Sequence, residues 1–517
     1  MNTINNEATR FVNLSLDWIS RHRFSILVTF LFIRFLSFAS NGFWSGDFWE
    51  HSAVVKELIE RPSHPQHPLF LLSTPNAFMS PYALLVATFA RLLSLSAIDA
   101  LSIFSLVNFL LLAYGVKRFC SVISPNYAES TAFYFILLTL MLWGNNPWPY
   151  SGFFHIEIIE TVLPYPSTFA ISLSLIGLSL FLKPINTHKV LSNSILCLII
   201  WTVLLSHPLT FIFLLSGLFF LSFSSDSFPF KKLFTLGCLI LIACVTALFW
   251  PYFSLYDLLV GGSKVFHTSN LVMYLNVWDR VWPNVLLIPL LFFGLRTRLT
   301  IIVSLWFIAL CLIYAYGTLS SNYSYGRIIS YCILLAHVIA AYGLTRFEFG
   351  LQKTHINIIK TYHLLLISTL LALSLTWLPS TVTRLLTIGN QISKNKNFVN
   401  QISYKNLVFI KNFINPDQLV LADIETSWMV PTFGGRVIAA LHPQAFVPDT
   451  FDRQRDINMF FSTEANKEQR IEMINKYRPQ FLLLDLSKPT ASQIERDLSQ
   501  FIEPINTNDR YRLFRLL

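Results

Sequence analysis

Long runs of apolar residues, separated by short polar segments, dominate the chain up to about residue 380. A helix of about 20 apolar residues spans the hydrocarbon core of a bilayer. Runs of this length, or nearly this length, predict a mainly α-helical, polytopic transmembrane bundle of about 11 helices. The predicted spans are Phe24–Phe38, Leu101–Val116, Ala132–Trp143, Phe169–Leu182, Leu191–Leu205, Leu209–Phe223, Leu233–Trp250, Val285–Leu295, Ile301–Tyr316, Ile328–Leu344 and Ile358–Leu378.

Basic residues fall in alternate loops between these spans, which orients the bundle. Lysine and arginine are enriched in the cytoplasmic loops of membrane proteins. The N-terminus is therefore predicted inside and the C-terminus outside. The apolar segment Pro81–Leu95 is too short to fit this alternation, and we interpret it as a helix at the outer membrane surface within a long outer loop, residues 41–97. The basic loops hold Arg21 and Arg23, Lys117 and Arg118, Lys183 and Lys189, Lys231 and Lys232, Arg296 and Arg298, and Arg346, Lys353 and Lys360.

The composition changes near Pro379, where the last span cannot continue. From Phe398 onward the apolar runs shorten and charged residues increase. Short apolar runs alternate with amphipathic stretches, which favours a small extracytoplasmic α/β domain at 399–517 after a transmembrane domain at 1–398. The predicted strands are Leu419–Ile424, Arg436–Ala440, Phe481–Leu486 and Tyr511–Leu517, and the predicted helices are Lys467–Lys476 and Ala491–Phe501.

The charge pattern excludes a nucleic-acid-binding protein. The net charge is +10, but residues 400–517 hold 14 basic and 14 acidic residues. Residues 1–399 therefore hold the whole excess, 24 basic against 14 acidic, in the loops between apolar spans. The six cysteines lie in or beside those spans, so no disulfide framework is expected.

The first outer loop carries the richest set of polar side chains. On a helix, Asp47, Glu50 and His51 would share one face. Two carboxylates and an imidazole can serve as general base or metal ligands, although an acidic, solvated loop is the alternative. Arg34 lies within the outer half of the first span, where an arginine is costly and therefore indicates either a functional site or a side chain that reaches the interface. Arg34 and Asp47 are expected to converge at the same membrane face.

Other outer loops supply further candidates. Glu157 and Glu160 are candidates for a metal site or for acceptor binding, with loop solvation as the alternative. His207 precedes Pro208 at a tight turn and is either a helix-start residue or a phosphate contact. Tyr325 and Arg327 open a span, where they are expected either to bind a phosphate or to anchor the interface.

In its order of motifs the chain resembles the GT-C superfamily of integral-membrane glycosyltransferases, which use polyprenyl-phosphate-linked sugars. The residues that carry the resemblance are Arg34, Gly46-Asp47, His67-Pro68, Ser80-Pro81-Tyr82, Lys117-Arg118, Leu419–Asp423, Gly435-Arg436 and Phe481–Asp485.

The resemblance implies an inverting glycosyltransferase of the cell (inner) membrane that builds a cell-envelope glycan. Asp47, with Glu50, would be catalytic, and Asp47 would deprotonate the acceptor, which would be a glycan, a lipid or a protein. Arg34, His51, His207, Tyr325 and Arg327 would bind the substrate or the lipid phosphate. A divalent metal, Mg or Mn, is a candidate cofactor, with Asp47, Glu157 and Glu160 as its ligands. Many relatives have adjacent acids in this loop, whereas here Phe48 follows Asp47.

Two other functions fit a polytopic chain of this kind. A transporter or flippase of lipid-linked glycans would require broken or polar helices at mid-membrane, and few charges lie there. A polysaccharide polymerase or ligase would more naturally place its key residues in a large late outer loop. The acid-bearing first loop together with an outer α/β domain favours the glycosyltransferase.

Overall fold

The computed structural model describes residues 2–42, 44–184, 189–224, 229–262, 269–288, 297–352 and 402–517. They divide into two compact units. We call Met1–Ala39, Phe104–Ala247 and His267–Lys396 the helical unit. We call Ser40–Ile103, Leu248–Phe266 and Asn397–Leu517 the mixed unit.

Helices make up most of the described chain before residue 353. They are α1 (Asn2–Asn41), α2 (Phe48–Glu60), α3 (Pro81–Leu92), α4 (Ala97–Ile123), α5 (Ala128–Met141), α6 (Ile159–Val162), α7 (Pro166–Leu182), α8 (Lys189–Ser206), α9 (Pro208–Ser222), α10 (Phe230–Ala247), α11 (Leu255–Asp257), α12 (Val277–Val281), α13 (Arg298–Leu319) and α14 (Ile328–Gln352). Proline begins α3, α7 and α9, because its fixed φ suits the first helical turn and its missing N–H is not needed there.

Six helices of the described chain are long and apolar enough to cross a membrane. They confirm the prediction of a mainly α-helical, polytopic membrane protein. The surface of α10 supports this reading, since Phe234 and Leu241 are 67% and 63% exposed, and an apolar face of this kind is stable in lipid but not in water. The six spans are Arg21–Asn41, Ala97–Ile123, Lys189–Ser206, Phe230–Ala247, Arg298–Leu319 and Tyr323–Gly350.

The predicted count of eleven spans is not tested by these helices. The shorter apolar helices α3, α7 and α9 also lie at predicted apolar segments. The predicted span Ile358–Leu378 lies outside the described residues, as do residues 289–295 of the predicted span Val285–Leu295. The predicted domain boundary at residue 398 also lies outside them, so the eleven spans and this boundary stay predictions.

A five-stranded sheet forms the core of the C-terminal segment, in the order β2-β1-β3-β5-β4. β1 pairs parallel with both β2 and β3, and β5 pairs antiparallel with both β3 and β4. Helices alternate with these strands, which confirms the predicted small α/β domain. The strands are β1 (Leu419–Leu421), β2 (Arg436–Val437), β3 (Phe481–Asp485), β4 (Ile502–Thr507) and β5 (Tyr511–Leu516), and the helices are α15 (Ile402–Leu407), α16 (Ile424–Phe433), α17 (Thr450–Phe460), α18 (Lys467–Tyr477) and α19 (Ala491–Asp497).

Three of the predicted elements were wrong in extent, and one strand and two helices, α16 and α17, were missed. The strand predicted at Arg436–Ala440 ends at Val437. The strand predicted at Leu419–Ile424 ends at Leu421, because Asp423 starts a helix: its Oδ1 accepts hydrogen bonds from the backbone N–H groups of Glu425 and Thr426, both at 3.2 Å. The helix predicted at Ala491–Phe501 ends at Asp497. Phe501, the last residue of that predicted helix, directly precedes β4. This strand was missed because only one of its residues is buried and its mixed composition contains no apolar run.

Residues 41–97 and the sheet lie in the mixed unit, and buried polar contacts join them. The Arg436 guanidinium of β2 pairs with the Glu57 carboxylate of α2 and donates to Pro68 O at 3.1 Å. The N–H of Val437 donates to Leu69 O at 2.8 Å. These contacts hold α2 against the edge strand of the sheet.

Candidate active site

A glycine turn places Asp47 at the start of α2. Gly46 has φ +66°, a conformation that glycine adopts without steric cost. Asp47 occupies the N-cap position, yet its side chain makes no capping hydrogen bond. Its side chain is 40% exposed, so the carboxylate is open to an incoming molecule.

His442 brings the two carboxylates of α2 together. Its Nδ1 lies 3.4 Å from Asp47 Oδ1 and 3.4 Å from Glu50 Oε2. The Trp428 ring packs edge-on against the imidazole, with ring centroids 5.1 Å apart. The imidazole can therefore hydrogen bond to either carboxylate while the indole fixes its plane.

Glu50 is buried where Asp47 is not, with only 1% of its surface exposed. Burial raises the pKa of its carboxyl group, against the opposing effect of the hydrogen bond from His442. Gln444 Nε2 donates to Glu50 Oε1 at 3.4 Å. The site thus combines an accessible aspartate with a buried glutamic acid that favours its protonated form.

The raised pKa of Glu50 leads to a prediction for stability. A group whose pKa rises on folding stabilises the fold below its unfolded pKa, and this contribution is lost as pH rises through the folded value. Relative to Glu50→Gln, the wild-type chain is therefore expected to lose stability as pH rises above the ordinary glutamate value of 4.5. Unfolding of both proteins across this pH range checks it, and a wild-type chain that gains stability relative to Glu50→Gln as pH rises would contradict the assignment.

An amide network behind Glu50 fixes its position. Asn76 Nδ2 donates to Gln444 Oε1 at 3.2 Å and lies 3.3 Å from His67 Nε2. His67 Nδ1 accepts from the N–H groups of Leu69 and Phe70, at 3.2 and 3.1 Å. His67 therefore orders the loop, and the network reaches from that loop to the carboxyl group of Glu50.

His51, a predicted substrate ligand, lies on α2 one residue beyond Glu50. It is 9% exposed and packs edge-on against Phe78, with ring centroids 5.1 Å apart. Burial lowers the pKa of its imidazole to about 4. At neutral pH His51 offers a hydrogen bond and no positive charge.

In the helical unit Arg34 has a carboxylate partner that the sequence did not predict. Arg34 Nε lies 2.5 Å from Glu160 Oε1, and the expected convergence of Arg34 with Asp47 stays a prediction. The ion pair offsets the charge of both side chains. It also occupies a carboxylate oxygen of Glu160, a predicted metal ligand.

Arg327, also in the helical unit, donates to hydroxyl and amide oxygens. Its Nη1 donates to Ser151 Oγ at 3.1 Å and its Nε to Asn270 Oδ1 at 3.3 Å. The guanidinium carbon lies 5.4 Å from the centroid of the Tyr150 ring. Tyr325 packs near Tyr316, with ring centroids 6.1 Å apart.

His207 starts a helix, one of the two roles left open for it. Its Nδ1 accepts from Thr210 N at 3.2 Å and lies 2.7 Å from Thr210 Oγ1. Thr210 Oγ1 lies 2.9 Å from Tyr331 OH. The predicted phosphate contact at His207 remains a prediction.

The predicted metal ligands Glu157 and Glu160 have different surroundings. The Glu157 side chain is 70% exposed, and Glu160 is paired with Arg34. Within the described ranges there is no group of three or more His, Cys, Asp or Glu residues that could hold a metal ion. The divalent metal and its ligands stay a prediction, and the proposed reaction uses no metal.

Comparison with known proteins adds a distant structural likeness. No protein-family model matches the chain, and no curated protein matches it. The chain is similar to the oligosaccharyltransferase of Archaeoglobus fulgidus tethered with an acceptor peptide that contains the NVT sequon, with a TM-score of 0.49 and 12% identity over 94% of this chain and 73% of that one. A second structure of that enzyme, complexed with Zn and sulfate, gives a TM-score of 0.46 and 12% identity over 91% and 71%. Likeness at this level does not decide a function, so the site itself has to.

Three residues of the site were not predicted from the sequence: Trp428, His442 and Gln444. His442 and Gln444 follow the apolar run that contains β2. The carboxyl ends of parallel strands are where α/β folds bind ligands. Applied to the predicted strand Arg436–Ala440, this rule indicates His442 and Gln444 as candidate site residues from the sequence alone.

Proposed function

We propose that this chain is an inverting glycosyltransferase that moves a sugar from a polyprenyl-phosphate donor to an acceptor at the outer face of the cell membrane. One observation carries the proposal. An accessible Asp47 carboxylate and a buried Glu50 carboxyl group meet at a single imidazole, His442. The resemblance of the first-loop motif to GT-C enzymes agrees with this use of Asp47.

Asp47 acts as the general base. The acceptor nucleophile attacks the anomeric carbon while Asp47 takes its proton. The bond from the anomeric carbon to the phosphate oxygen breaks, its electron pair leaves with the lipid phosphate, and attack from the opposite face inverts the configuration. A nearby carboxylate also stabilises the positive charge that develops on the sugar ring.

Glu50 and His442 position this base. Burial raises the pKa of the Glu50 carboxyl group, and Asp47 is the accessible carboxylate of the two. The imidazole Nδ1 of His442 lies 3.4 Å from an oxygen of each carboxyl group, so it orients both. The accessible Asp47 carboxylate then faces the acceptor.

The leaving phosphate needs a cation, and Arg327 is one of the predicted candidates. Its Nη1 donates to Ser151 Oγ and its Nε to Asn270 Oδ1, so hydroxyl and amide oxygens orient the guanidinium. A guanidinium offers a planar fork of donors that matches phosphate oxygens. We propose that Arg327 binds the phosphate of the donor.

Arg327→Gln is expected to raise KM for the donor and to lower kcat/KM by roughly tenfold or more, because a hydrogen bond to a charged group contributes about 1.5–3 kcal/mol. Initial rates over a range of donor concentrations measure this. Arg298→Gln is the matched control, since the exposed Arg298 donates to Phe223 O at the start of α13. Equal donor KM values for the two variants would remove Arg327 from the site.

The proposed activity is tested with the purified chain in lipid nanodiscs. A panel of polyprenyl-phosphate sugars is incubated with glycan, lipid and peptide acceptors, and mass spectrometry identifies the products. NMR of the new glycosidic bond then gives its configuration. Transfer with inversion is expected, and retention of configuration would rule out the single displacement at Asp47.

A further inference from the structure

A cavity lies in the mixed unit, and its lining contains neither Asp47 nor Glu50. Its volume is about 350 Å³, within the range of small-ligand sites. We call it the lysine cavity. It is lined by Lys56, Ile59, Glu60, Leu95, Ser96, Ala97, Ile98, Lys411, Ile414, Asn415, Pro416, Thr432, Phe433 and Gly434.

Helical geometry separates this cavity from the acid pair. At about 100° per residue, Ile59 lies on the opposite side of α2 from Glu50. Lys56 lies between Ile59 and Glu60 around the helix, and all three line the cavity. One helix thus presents an acid pair on one side and a lysine on the other.

Two ammonium groups line the cavity. Lys56 Nζ donates one hydrogen bond, to Pro431 O at 3.1 Å, which leaves two of its three donors for a ligand. Burial lowers the pKa of Lys56 to about 8 and also lowers that of Lys411. Lys411 Nζ lies 6.0 Å from the centroid of the Phe433 ring. Both cations are held in a partly dry environment that an anion would stabilise.

The nearby acids are engaged or face solvent. Asp99 Oδ2 accepts from Ser96 Oγ at 2.6 Å, and Glu57 pairs with Arg436. Glu60 is exposed. These carboxylates temper the positive charge of the cavity, and the two lysines remain its cationic lining.

We propose that the lysine cavity binds a phosphate group, with the Lys56 and Lys411 ammonium groups as its ligands. The apolar wall formed by Leu95, Ile98 and Phe433 takes the carbon chain attached to it. The phosphate comes either from a phospholipid headgroup or from a soluble phosphate compound. Leu92 and Leu93 are exposed and closely precede Leu95 of the cavity lining in the sequence. These exposed apolar side chains favour the lipid as the source of the phosphate.

Competition for Lys56 tests the proposal on the full-length protein. Acetic anhydride modifies Lys56 and Lys411, and mass spectrometry follows each rate. In detergent, the probe is inorganic phosphate; in nanodiscs, phosphatidylcholine alone is compared with phosphatidylcholine plus phosphatidylglycerol. A probe at about ten times its dissociation constant is expected to slow both lysines about tenfold, while exposed Lys405 keeps its rate.

The two arms separate the sources of the phosphate. Protection in phosphatidylglycerol nanodiscs but not by inorganic phosphate identifies a lipid headgroup, and protection by inorganic phosphate identifies a soluble ligand. Lys411→Gln is expected to weaken the protection of Lys56, and Lys405→Gln is expected to leave it unchanged. If neither probe slows Lys56 relative to Lys405, the cavity is not a phosphate site.

Discussion

Asp47→Asn is expected to abolish sugar transfer, lowering kcat/KM by a factor of about 10²–10⁴, the usual contribution of a general base. The amide keeps the size of the side chain and cannot accept the acceptor's proton. Because the Asp47 side chain is 40% exposed and makes no capping hydrogen bond, the fold is expected to tolerate the change. Initial rates with the active donor measure the effect, and thermal unfolding in the same detergent monitors the fold.

The matched control is Asp452→Asn, on the exposed surface of α17. It is expected to retain wild-type rates. His442→Ala is expected to lower the rate less than Asp47→Asn, since His442 orients the base. Wild-type activity from Asp47→Asn would remove Asp47 as the base, and a larger loss from His442→Ala would transfer that role to the imidazole.

Arg436→Met is expected to lower the free energy of unfolding by about 3 kcal/mol, because it removes the main charged partner of a buried carboxylate. The Glu57 carboxylate then keeps only the Gln66 N–H, at 2.8 Å, and the more distant Arg61 Nη1, at 3.9 Å. Arg436 and Glu57 are 2% and 1% exposed. The guanidinium also donates to Pro68 O at 3.1 Å, so its loss frees a backbone acceptor as well. Pulse proteolysis of the full chain in urea measures the change.

A double variant separates the ion pair from general packing. Replacing both partners of a buried pair with apolar residues can restore stability. Arg436→Met with Glu57→Met is therefore expected to be more stable than Arg436→Met alone. A double variant at least as unstable as the sum of the two single changes would show that the pair itself is not the source of the effect.

The helical part of the fold could be predicted because each span is a local pattern. Residues 301–316 are apolar almost throughout, and α13 covers them. The C-terminal elements were harder, because strand and helix compete over short apolar runs. Ile424 was included in the strand predicted from the apolar residues 419–422. Asp423 caps a helix that begins at Ile424, and this capping contact ends the strand.

Only part of the candidate site could be predicted from the sequence. Asp47 and Glu50 are three residues apart, so helical spacing alone puts them on one face. His442 meets them from almost 400 residues away in the chain, and this meeting depends on how the sheet packs against α2. Arg34 shows the same limit, since its partner at 2.5 Å is Glu160 and no periodicity links these positions.

The outward position of Asp47 is tested most directly by side-specific labelling. Asp47→Cys is made in a chain whose six native cysteines are replaced by serine, and intact cells are treated with a membrane-impermeant maleimide. Labelling in intact cells is expected at position 47, whereas Lys183→Cys in a basic loop should react only after the membrane is opened. Labelling of position 47 only after the membrane is opened would place the acid in the cytoplasm and contradict both the topology and the proposed reaction.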